Sequence, residues 1–178
     1  MKLVPTELPG LQIIRPRVFR DERGCFVKTF HAGQFRELGL NFEPHEEFFS
    51  TSAKGVLRGM HFQRPPAAHA KLVYCVAGSV LDVVLDLRKN CPTFGHSCAR
   101  ELSAANHDMF FIPVGFAHGF LALDDGATMV YQTNTIHSPE HDAGVRWDSF
   151  GFDWPVNNPV LSDRDQKFPS LRDFSSPF

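Results

Sequence analysis

Short segments in which apolar and polar residues alternate constrain the fold of this chain more than any other sequence feature. In the segment 79–87, SVLDVVLDL, every second side chain shares a face. One face carries Leu81, Val83, Leu85 and Leu87, and the other carries Val80, Asp82, Val84 and Asp86. A repeat of two residues predicts a β-strand. Further strands are predicted at residues 11–16, 24–30, 55–62, 71–78, 108–113, 119–123 and 127–134.

The spacing of these strands indicates the fold class. Gly, Pro, Asn or Asp punctuates most of the gaps, and residues 31–39 form the one predicted helix, which ends at Gly39. Many short strands predict an all-β sandwich or jelly-roll barrel, which can hold a small ligand inside. The chain of 178 residues fits one domain over residues 1–178. Residues 154–178 lack a regular pattern and are predicted to pack across this domain as a tail.

Composition excludes several classes of partner. The formal net charge of −2 indicates no nucleic-acid partner, and no apolar run reaches the length of about 18 residues that a transmembrane helix needs. The start of the chain has no apolar core typical of a signal peptide. The four cysteines form no CxxC pair, so we expect free thiols in a reducing compartment. A cytoplasmic protein without a membrane partner is therefore expected.

A short turn motif points to one kind of jelly roll. The segment 113–118, PVGFAH, fits the second half-motif of the cupin barrels, in which a Pro-Gly turn aims a histidine into the barrel. In metal-binding cupins the first half-motif supplies two histidines and a glutamate, followed by a glycine seven positions later. Gly78 is the counterpart of that glycine, and Lys71 stands seven positions before it. A protonated lysine cannot ligate a divalent ion, so a cupin-type barrel without a metal is predicted.

Side chains of complementary chemistry are predicted to share the interior of this barrel. A base, a phenol and a cation come together there, supplied by His61, His118, Tyr131 and Lys71. That set suits the removal of a proton next to a carbonyl group. Asp165 in the tail is a candidate acceptor that orients the histidine. The residues alone establish a small-molecule barrel and leave open whether His61 and Tyr131 act in chemistry or in packing.

Other polar residues have a structural interpretation when each is taken alone. The two acids on the strand 79–87, Asp82 and Asp86, are expected to be solvated or structural. Surface positions are expected for the arginines Arg23, Arg58 and Arg164, and for the loop histidines His107, His137 and His141.

Several long motifs carry a resemblance to a known family over nearly the whole chain. They are PRVFRDERGCF, KGVLRGMHFQ, KLVYCVAGSVLDVVLDLRKNCPTFG, LSAANHDMFFIPVGFAHGFLAL, VYQTN, SPEHDAGVRW and DWPVNNPVLSDRD. In this order they resemble the dTDP-4-dehydrorhamnose 3,5-epimerase family, whose members act on a nucleotide-linked 4-keto-6-deoxy sugar. The resemblance implies an isomerase that needs no metal or organic cofactor. It also implies a homodimer of jelly-roll barrels, in which N-terminal strands cross to the partner and help line its pocket.

The resemblance implies roles for the matching residues. His61, in RGMHFQ, is the expected general base, and Asp165, in SDRD, is the carboxylate that pairs with it. Tyr131, in VYQT, is the expected acid on the other face of the sugar ring, and Lys71 is the cation beside the C4 oxygen. Arg23, in DERG, is expected to reach the nucleotide-sugar of the neighbouring subunit. The other expected substrate contacts are Arg58, His118, His137, Asp142 and Arg164.

Departures from the family pattern cluster where the nucleotide is expected to lie. Lys28 stands where the family commonly has an acid, and His137 stands where it commonly has a tyrosine that stacks on the base. The segment 46–50, EEFFS, replaces a pattern like QDNHS, and Arg164 replaces a lysine. The expected catalytic set is intact while the base-reading set is altered. A 5-epimerase acting on a CDP-linked 4-keto-3,6-dideoxyhexose is therefore an alternative.

The leading hypothesis is an epimerase that inverts C3, C5 or both in a nucleotide-linked 4-keto-6-deoxyhexose, for deoxysugar and O-antigen lipopolysaccharide synthesis. Three rivals are a sugar 3,4-ketoisomerase, a non-catalytic sugar-binding cupin and a metal-dependent cupin enzyme. The intact RGMHFQ, VYQT and SDRD motifs argue against the ketoisomerase. His69 matches no catalytic role and is left without an assigned function.

Overall fold

A computed structural model describes the whole chain, residues 1–178, as a β-rich molecule with a few short helices. Its strands are β1 (Lys2–Pro5), β2 (Gln12–Arg15), β3 (Val18–Asp21), β4 (Gly24–Val27), β5 (Glu46–Ser52), β6 (Leu57–Gln63), β7 (Lys71–Ala77), β8 (Ser79–Asp86), β9 (Ser97–Ser103), β10 (Met109–Ile112), β11 (Phe116–Ala122), β12 (Ala127–Thr133) and β13 (Asp142–Gly144). The helices are α1 (Ala32–Glu37), α2 (Asp163–Gln166) and a 3₁₀ turn at Leu171–Asp173. Every predicted strand segment overlaps an observed strand, so the all-β class is confirmed.

Two antiparallel sheets form a jelly-roll sandwich. One sheet has six strands in the order β1-β2-β10-β7-β12-β5, and the other has five in the order β13-β6-β11-β8-β9. Strands β3 and β4 form a separate hairpin outside both sheets. Apolar side chains from the facing sheets, such as Val73 and Phe110 opposite Val84 and Phe120, meet in a cluster of 17 buried residues. Each such buried side chain contributes roughly 1.5–3 kcal/mol, so this cluster holds the sheets together.

Strand β8 shows the predicted alternation, but its acids are not solvated. Val80 and Val84 face the core between the sheets, and Val83 and Leu85 face the other side. Asp82 and Asp86 are both fully buried, so the expectation of solvated acids was wrong and the structural interpretation holds. The physical reason is that their face is the interior of the sandwich, where each carboxylate has a partner: Asp82 pairs with His118, and Asp86 pairs with Arg88 and Thr93.

The outer face of the six-stranded sheet is covered by the segment around α1. Phe35 on α1 is fully buried and packs at 6.2 Å from Phe42, which contacts Phe111 of β10 edge to face at 5.6 Å. His31 caps the helix by accepting a hydrogen bond from the Gln34 amide. Gly39 follows the helix at φ +76°, a conformation that favours glycine, so the predicted stop is confirmed.

The C-terminal tail covers the outer face of the five-stranded sheet, as predicted. Phe62 of β6 meets Phe174 at 5.5 Å and Phe178 at 5.7 Å, both edge to face. Trp154 is buried in the same cluster. The tail also carries α2, which brings Asp165 underneath β6. None of the helices is long and apolar enough to cross a membrane.

Candidate active site

A cavity of about 280 Å³ opens between the two sheets and contains most of the predicted site residues. The predicted residues that line it are Arg58, His61, Lys71, His118, Tyr131, His137, Asp142 and Arg164. Asp165 lies behind His61, where it is 2% exposed and bonds to the imidazole. Arg58, His137 and Arg164 are exposed, as expected when each was taken alone, and the strand ends and the tail bring them together at the cavity. Only Arg23 among the predicted residues stands apart from it.

An irregular pairing between β6 and β11 aims the β6 side chains. His61 pairs with His118, while Arg58 pairs with Phe120, so three steps along β6 match two steps along β11. An extra residue of this kind is a β-bulge, which changes the face that a side chain occupies. Arg58 and His61 differ by an odd number of positions, and a regular strand would place them on opposite faces. The bulge brings both side chains to the cavity.

His61 and Asp165 form a hydrogen-bonded pair held by the backbone. His61 Nε2 lies 2.8 Å from Asp165 Oδ1, and the Gly59 amide donates to Asp165 Oδ2 at 3.0 Å. Ser162 caps α2 by accepting from the Asp165 amide at 3.1 Å. Gly59 sits at φ +141°, and a Cβ there would lie 2.5 Å from the Gly119 Cα. Only glycine lets β6 approach β11 closely enough for this arrangement.

The surroundings of His61 favour an uncharged imidazole with one basic nitrogen. Burial lowers the pKa of His61 more than the hydrogen bond and charge of Asp165 raise it, and the charges of Arg164 and Lys71 lower it further. Burial alone would raise the pKa of Asp165, but the bonds from His61, Gly59 and Ser162 lower it below its usual value. A proton on Nε2 that is donated to Asp165 leaves Nδ1 free to act as a base.

Arg164 competes for the same imidazole nitrogen. Its Nη2 lies 2.8 Å from His61 Nε2, and its Nη1 donates to Asp142. Nε2 can accept from Arg164 only when it carries no proton, and it can donate to Asp165 only when it does. The position of Arg164 therefore selects which nitrogen of His61 is basic.

Tyr131 faces His61 from the other sheet. Its ring stacks on Phe48 at 4.8 Å with an interplanar angle of 13°, and its hydroxyl lies 3.1 Å from Ser50 Oγ. Phe48 is the β5 residue directly opposite Tyr131 on β12. Burial, the largest effect, raises the pKa of Tyr131 well above its usual value. The phenol therefore keeps its proton at neutral pH and can donate it.

Lys71 places a cation beside the His61–Tyr131 pair. Its Nζ donates to the His61 carbonyl at 3.2 Å. Burial and the charge of Arg164 lower the pKa of Lys71 to about 8, against the opposing charges of Asp142 and Asp82. Below that pH the side chain is an ammonium ion. Lys71 therefore provides positive charge inside the cavity at neutral pH.

The pair of His118 and Asp82 completes the interior of the site. His118 Nε2 lies 2.8 Å from Asp82 Oδ2, and both side chains are almost fully buried. The His118 ring meets Tyr131 edge to face at 6.1 Å. Burial raises the pKa of Asp82, while His118 and Lys71 oppose that rise. The buried pair fixes the orientation of the His118 ring against the phenol.

Arg23 lies on the exposed hairpin rather than in the cavity. Its side chain is 85% exposed and bonds only to Asp21, at 2.5 Å. The hairpin presents two further exposed side chains, Phe19 and Phe26. In the isolated subunit the arginine therefore contacts none of the other predicted site residues.

Sequence reasoning missed several residues that line the cavity. These are Phe48, Ser50, Phe62, Gln63, His69 and Phe120. Alternation offered a signal for Gln63, which lies two positions from His61, and Phe48 and Ser50 belong to the segment 46–50 that departs from the family pattern. The bulge and the loop before β7 gave no such signal for the others.

Comparisons with known proteins agree with this geometry. The family model for dTDP-4-dehydrorhamnose 3,5-epimerase matches residues 5–173. The dTDP-4-dehydrorhamnose 3,5-epimerase of Shigella flexneri is 47% identical over 174 residues, which cover 94% of this chain and 96% of the relative.

Two solved structures share the fold over nearly their whole length. The dTDP-6-deoxy-D-glucose-3,5-epimerase of Legionella pneumophila, in complex with dTDP-4-keto-L-rhamnose, has a TM-score of 0.93 at 36% identity, covering 98% of this chain and 94% of that chain. A 3′-monoepimerase from Streptomyces bikiniensis, in complex with dTDP-quinovose, has a TM-score of 0.90 at 32% identity, covering 94% of this chain and 87% of that chain. These matches confirm the resemblance that the motifs indicated. The chain therefore belongs to the dTDP-4-dehydrorhamnose 3,5-epimerase family.

Proposed function

We propose that this chain inverts C3, C5 or both in a dTDP-linked 4-keto-6-deoxyhexose, by removing a proton beside the C4 ketone and returning one to the opposite face. Its family makes the chain an isomerase of the epimerase class. The relatives support the substrate, because the Legionella pneumophila enzyme binds dTDP-4-keto-L-rhamnose and the Streptomyces bikiniensis enzyme binds dTDP-quinovose. The Legionella pneumophila relative is a 3,5-epimerase and the Streptomyces bikiniensis relative is a 3′-monoepimerase, so the relatives support either two inversions or one.

The placement of His61 and Tyr131 on opposite walls of the cavity carries the proposal. His61 lies on β6 of the five-stranded sheet, and Tyr131 lies on β12 of the six-stranded sheet. A sugar ring between the sheets would present one face to the imidazole and the other to the phenol. Inversion requires such a pair, because the proton leaves from one face of the carbon and arrives at the other.

The proton balance follows from these positions. His61 Nδ1 takes the proton from the carbon, and the electron pair of the broken bond moves to the C4 oxygen as an enolate. The ammonium of Lys71 stabilises that negative oxygen. The enolate carbon then takes the hydroxyl proton of Tyr131 from the other side, which restores the ketone. Exchange with water removes the extra proton from His61 and returns one to the Tyr131 phenolate.

The resting protonation states suit this sequence of steps. The lowered pKa of His61 keeps the base uncharged at neutral pH, and the raised pKa of Tyr131 keeps the acid protonated. Lys71, with a pKa of about 8, is largely an ammonium ion at pH 7. All three groups therefore start the reaction with the charge that each role needs.

The arginines are proposed to hold the diphosphate. Arg58 Nε donates to Ser52 Oγ at 3.1 Å and its Nη2 donates to Thr51 O at 3.3 Å, which fixes the guanidinium at the cavity and leaves Nη1 without a protein partner. Arg164 is the second candidate, since a forked guanidinium matches phosphate oxygens. Movement of Arg164 from His61 to a phosphate would release His61 Nε2 to donate to Asp165. Substrate binding would then select the tautomer in which Nδ1 is the base.

We also propose that residues 1–178 form one domain that works as a homodimer with exchanged N-terminal strands. The hairpin of β3 and β4 supports this, because it stands outside both sheets with Phe19 47% and Phe26 60% exposed. Large exposed apolar side chains of this kind mark a contact surface. In such a dimer Arg23 would reach the nucleotide-sugar of the partner. Sedimentation should give a dimer, and Phe26→Asp should give a monomer with reduced activity.

The reaction is tested by solvent exchange in deuterated water. The purified protein is incubated with dTDP-4-keto-6-deoxyglucose, with its CDP counterpart and with CDP-4-keto-3,6-dideoxyglucose, and NMR detects deuterium at C3 and C5. Exchange with the dTDP sugar is expected, and His61→Ala should abolish it. Preference for a CDP sugar would show that the substrate carries CDP rather than dTDP. His137 and Phe48 line the cavity and stand at positions where the nucleotide is expected. No exchange with any of the three would contradict the epimerase proposal.

A further inference from the structure

His69 occupies the wall of the cavity but takes no part in the proton steps proposed above. It lies in the loop between β6 and β7, two positions before Lys71, and lines the same cavity as His61 and Tyr131. Its Nδ1 lies 3.0 Å from the side-chain nitrogen of Gln63. Its Nε2 is buried and has no hydrogen-bond partner in the protein. A buried polar atom without a partner is costly unless something else satisfies it.

The neighbours of Gln63 fix which of its side-chain atoms faces His69. The Ser138 amide donates to Gln63 Oε1 at 2.6 Å, so this atom is the carbonyl oxygen and the other is the NH₂ group. The NH₂ group donates to the Ala67 carbonyl at 2.8 Å, which confirms the assignment from a second side. Its second proton has two acceptors within reach, His69 Nδ1 at 3.0 Å and the Ile136 carbonyl at 3.4 Å, and the shorter contact is the one to His69. Nδ1 is therefore an acceptor, and the single proton of a neutral ring resides on Nε2.

The charge on His69 is fixed as well as its tautomer. Burial, followed by the charges of Lys71 and His137, lowers the pKa of His69 to about 3. A second proton on the ring would have to displace the Gln63 NH₂ from Nδ1. The imidazole thus stays neutral across the physiological pH range and presents Nε2–H as a donor only.

We propose that His69 is a specificity-determining residue that donates Nε2–H to an oxygen of the bound nucleotide-sugar. The inference rests on the function proposed above, since it takes the same ligand in the same cavity. The neighbouring ammonium of Lys71 favours the same partner, because two donors side by side suit an electron-rich oxygen and disfavour a cationic or donor group. Such an oxygen occurs on the sugar ring and on the diphosphate.

Gln63 is a positioning residue in this scheme, because it acts on the ligand only through His69. A carboxylate in its place would accept a hydrogen bond from Nδ1, whereas the Gln63 NH₂ group donates one to it. Gln63→Glu should therefore move the ring proton to Nδ1, turn Nε2 into an acceptor and raise the pKa of His69. Long-range proton–nitrogen NMR of the imidazole reads the tautomer directly, which a purely structural role for Gln63 would leave unchanged.

Ligand affinity is measured in the His61→Asn background, which should bind substrate without turning it over because the proposed base is absent. His69→Phe keeps the ring and removes the donor, whereas His69→Gln keeps an N–H donor. Calorimetry compares dTDP with dTDP-4-keto-6-deoxyglucose, and the CDP pair is run in parallel. His69→Phe should weaken binding about 10-fold, and His69→Gln should recover most of the loss. The loss should be the same at pH 6 and pH 8, because the ring is neutral at both.

The pattern of losses identifies the acceptor. Weakening of the sugar nucleotide alone places the acceptor on the sugar, and equal weakening of both ligands places it on the diphosphate. Unchanged affinity for every ligand in His69→Phe would overturn the proposal. So would a wild-type His69 that titrates near pH 6.5 or carries its proton on Nδ1 in the NMR spectrum. These readouts need no turnover, so they are independent of the exchange experiment that tests the epimerase reaction.

Discussion

Replacing Gly59 by alanine should damage both the stability of the fold and the catalytic pair. The residue sits at φ +141°, a conformation that L side chains rarely adopt and that costs them roughly 1–3 kcal/mol. Its new Cβ would lie 2.5 Å from the Gly119 Cα and 3.1 Å from the His118 carbonyl oxygen. Those atoms are backbone and cannot rotate away, so overpacking adds about 1–3 kcal/mol. We expect a total loss of about 4 kcal/mol in the free energy of unfolding.

The same substitution should also reduce activity. The Gly59 amide donates to Asp165 Oδ2, and the strand that must move to relieve the clash carries His61. A displacement of about 1 Å at a catalytic group costs on the order of 10²-fold in rate, so kcat/KM should fall by that amount.

A matched control separates backbone strain from the close approach. Gly126 has φ +72°, but a Cβ there would meet nothing within 4 Å. Gly126→Ala should therefore cost only about 1 kcal/mol and leave kcat/KM unchanged. Urea denaturation gives the free energy of unfolding for both variants at equal pH. Equal stability and equal activity of the two variants would refute the role assigned to the contact between β6 and β11.

Three further predictions concern ionisable groups. Asp165→Asn should lower kcat by about 10²–10⁴ with little change in melting temperature, because the neutral amide no longer stabilises the imidazolium of His61. Activity should fall as pH rises through about 8, where Lys71 loses its proton, and Lys71→Arg should remove that decline if the variant remains active. Burial lowers the pKa of His69 from 6.5, the value of an unperturbed histidine, to about 3. As the pH falls below 6.5, the unfolded chain therefore binds a proton at His69 and the folded chain does not. The free energy of unfolding should therefore fall between pH 6.5 and 3, by at most about 1.4 kcal/mol per pH unit from this group, and His69→Gln should fall less in urea titrations at pH 6.5 and 4.5.

The sequence predicted those features of the fold that repeat along it. Alternation identified β8 and most of its neighbours, and Gly39 marked the end of the only helix of more than one turn. The sequence did not predict that Asp82 is buried, because alternation shows which side chains share a face of the strand but not whether that face is exposed to solvent. The pairing with His118 is made 36 positions away along the chain.

The site could be predicted only where a motif carried it. The cupin spacing singled out Lys71, but it gave no sign that Arg58 and His61 share a wall. That arrangement depends on a bulge in the pairing of two strands, which no local pattern encodes. The Asp165 partner of His61 lies 104 positions away, and the Gln63 contact that fixes His69 depends on the fold of a loop. Long-range pairings of this kind become visible only in three dimensions.

The most direct test of the account is the ratio of deuterium incorporation to inversion in Tyr131→Phe. The variant keeps the ring that stacks on Phe48 and loses only the hydroxyl that returns the proton. If His61 and Tyr131 act from opposite faces, His61 can still remove a proton and return deuterium to the same face. Incorporation should then continue while inversion slows by a larger factor. Equal slowing of the two processes would contradict the division of labour between the two walls of the cavity.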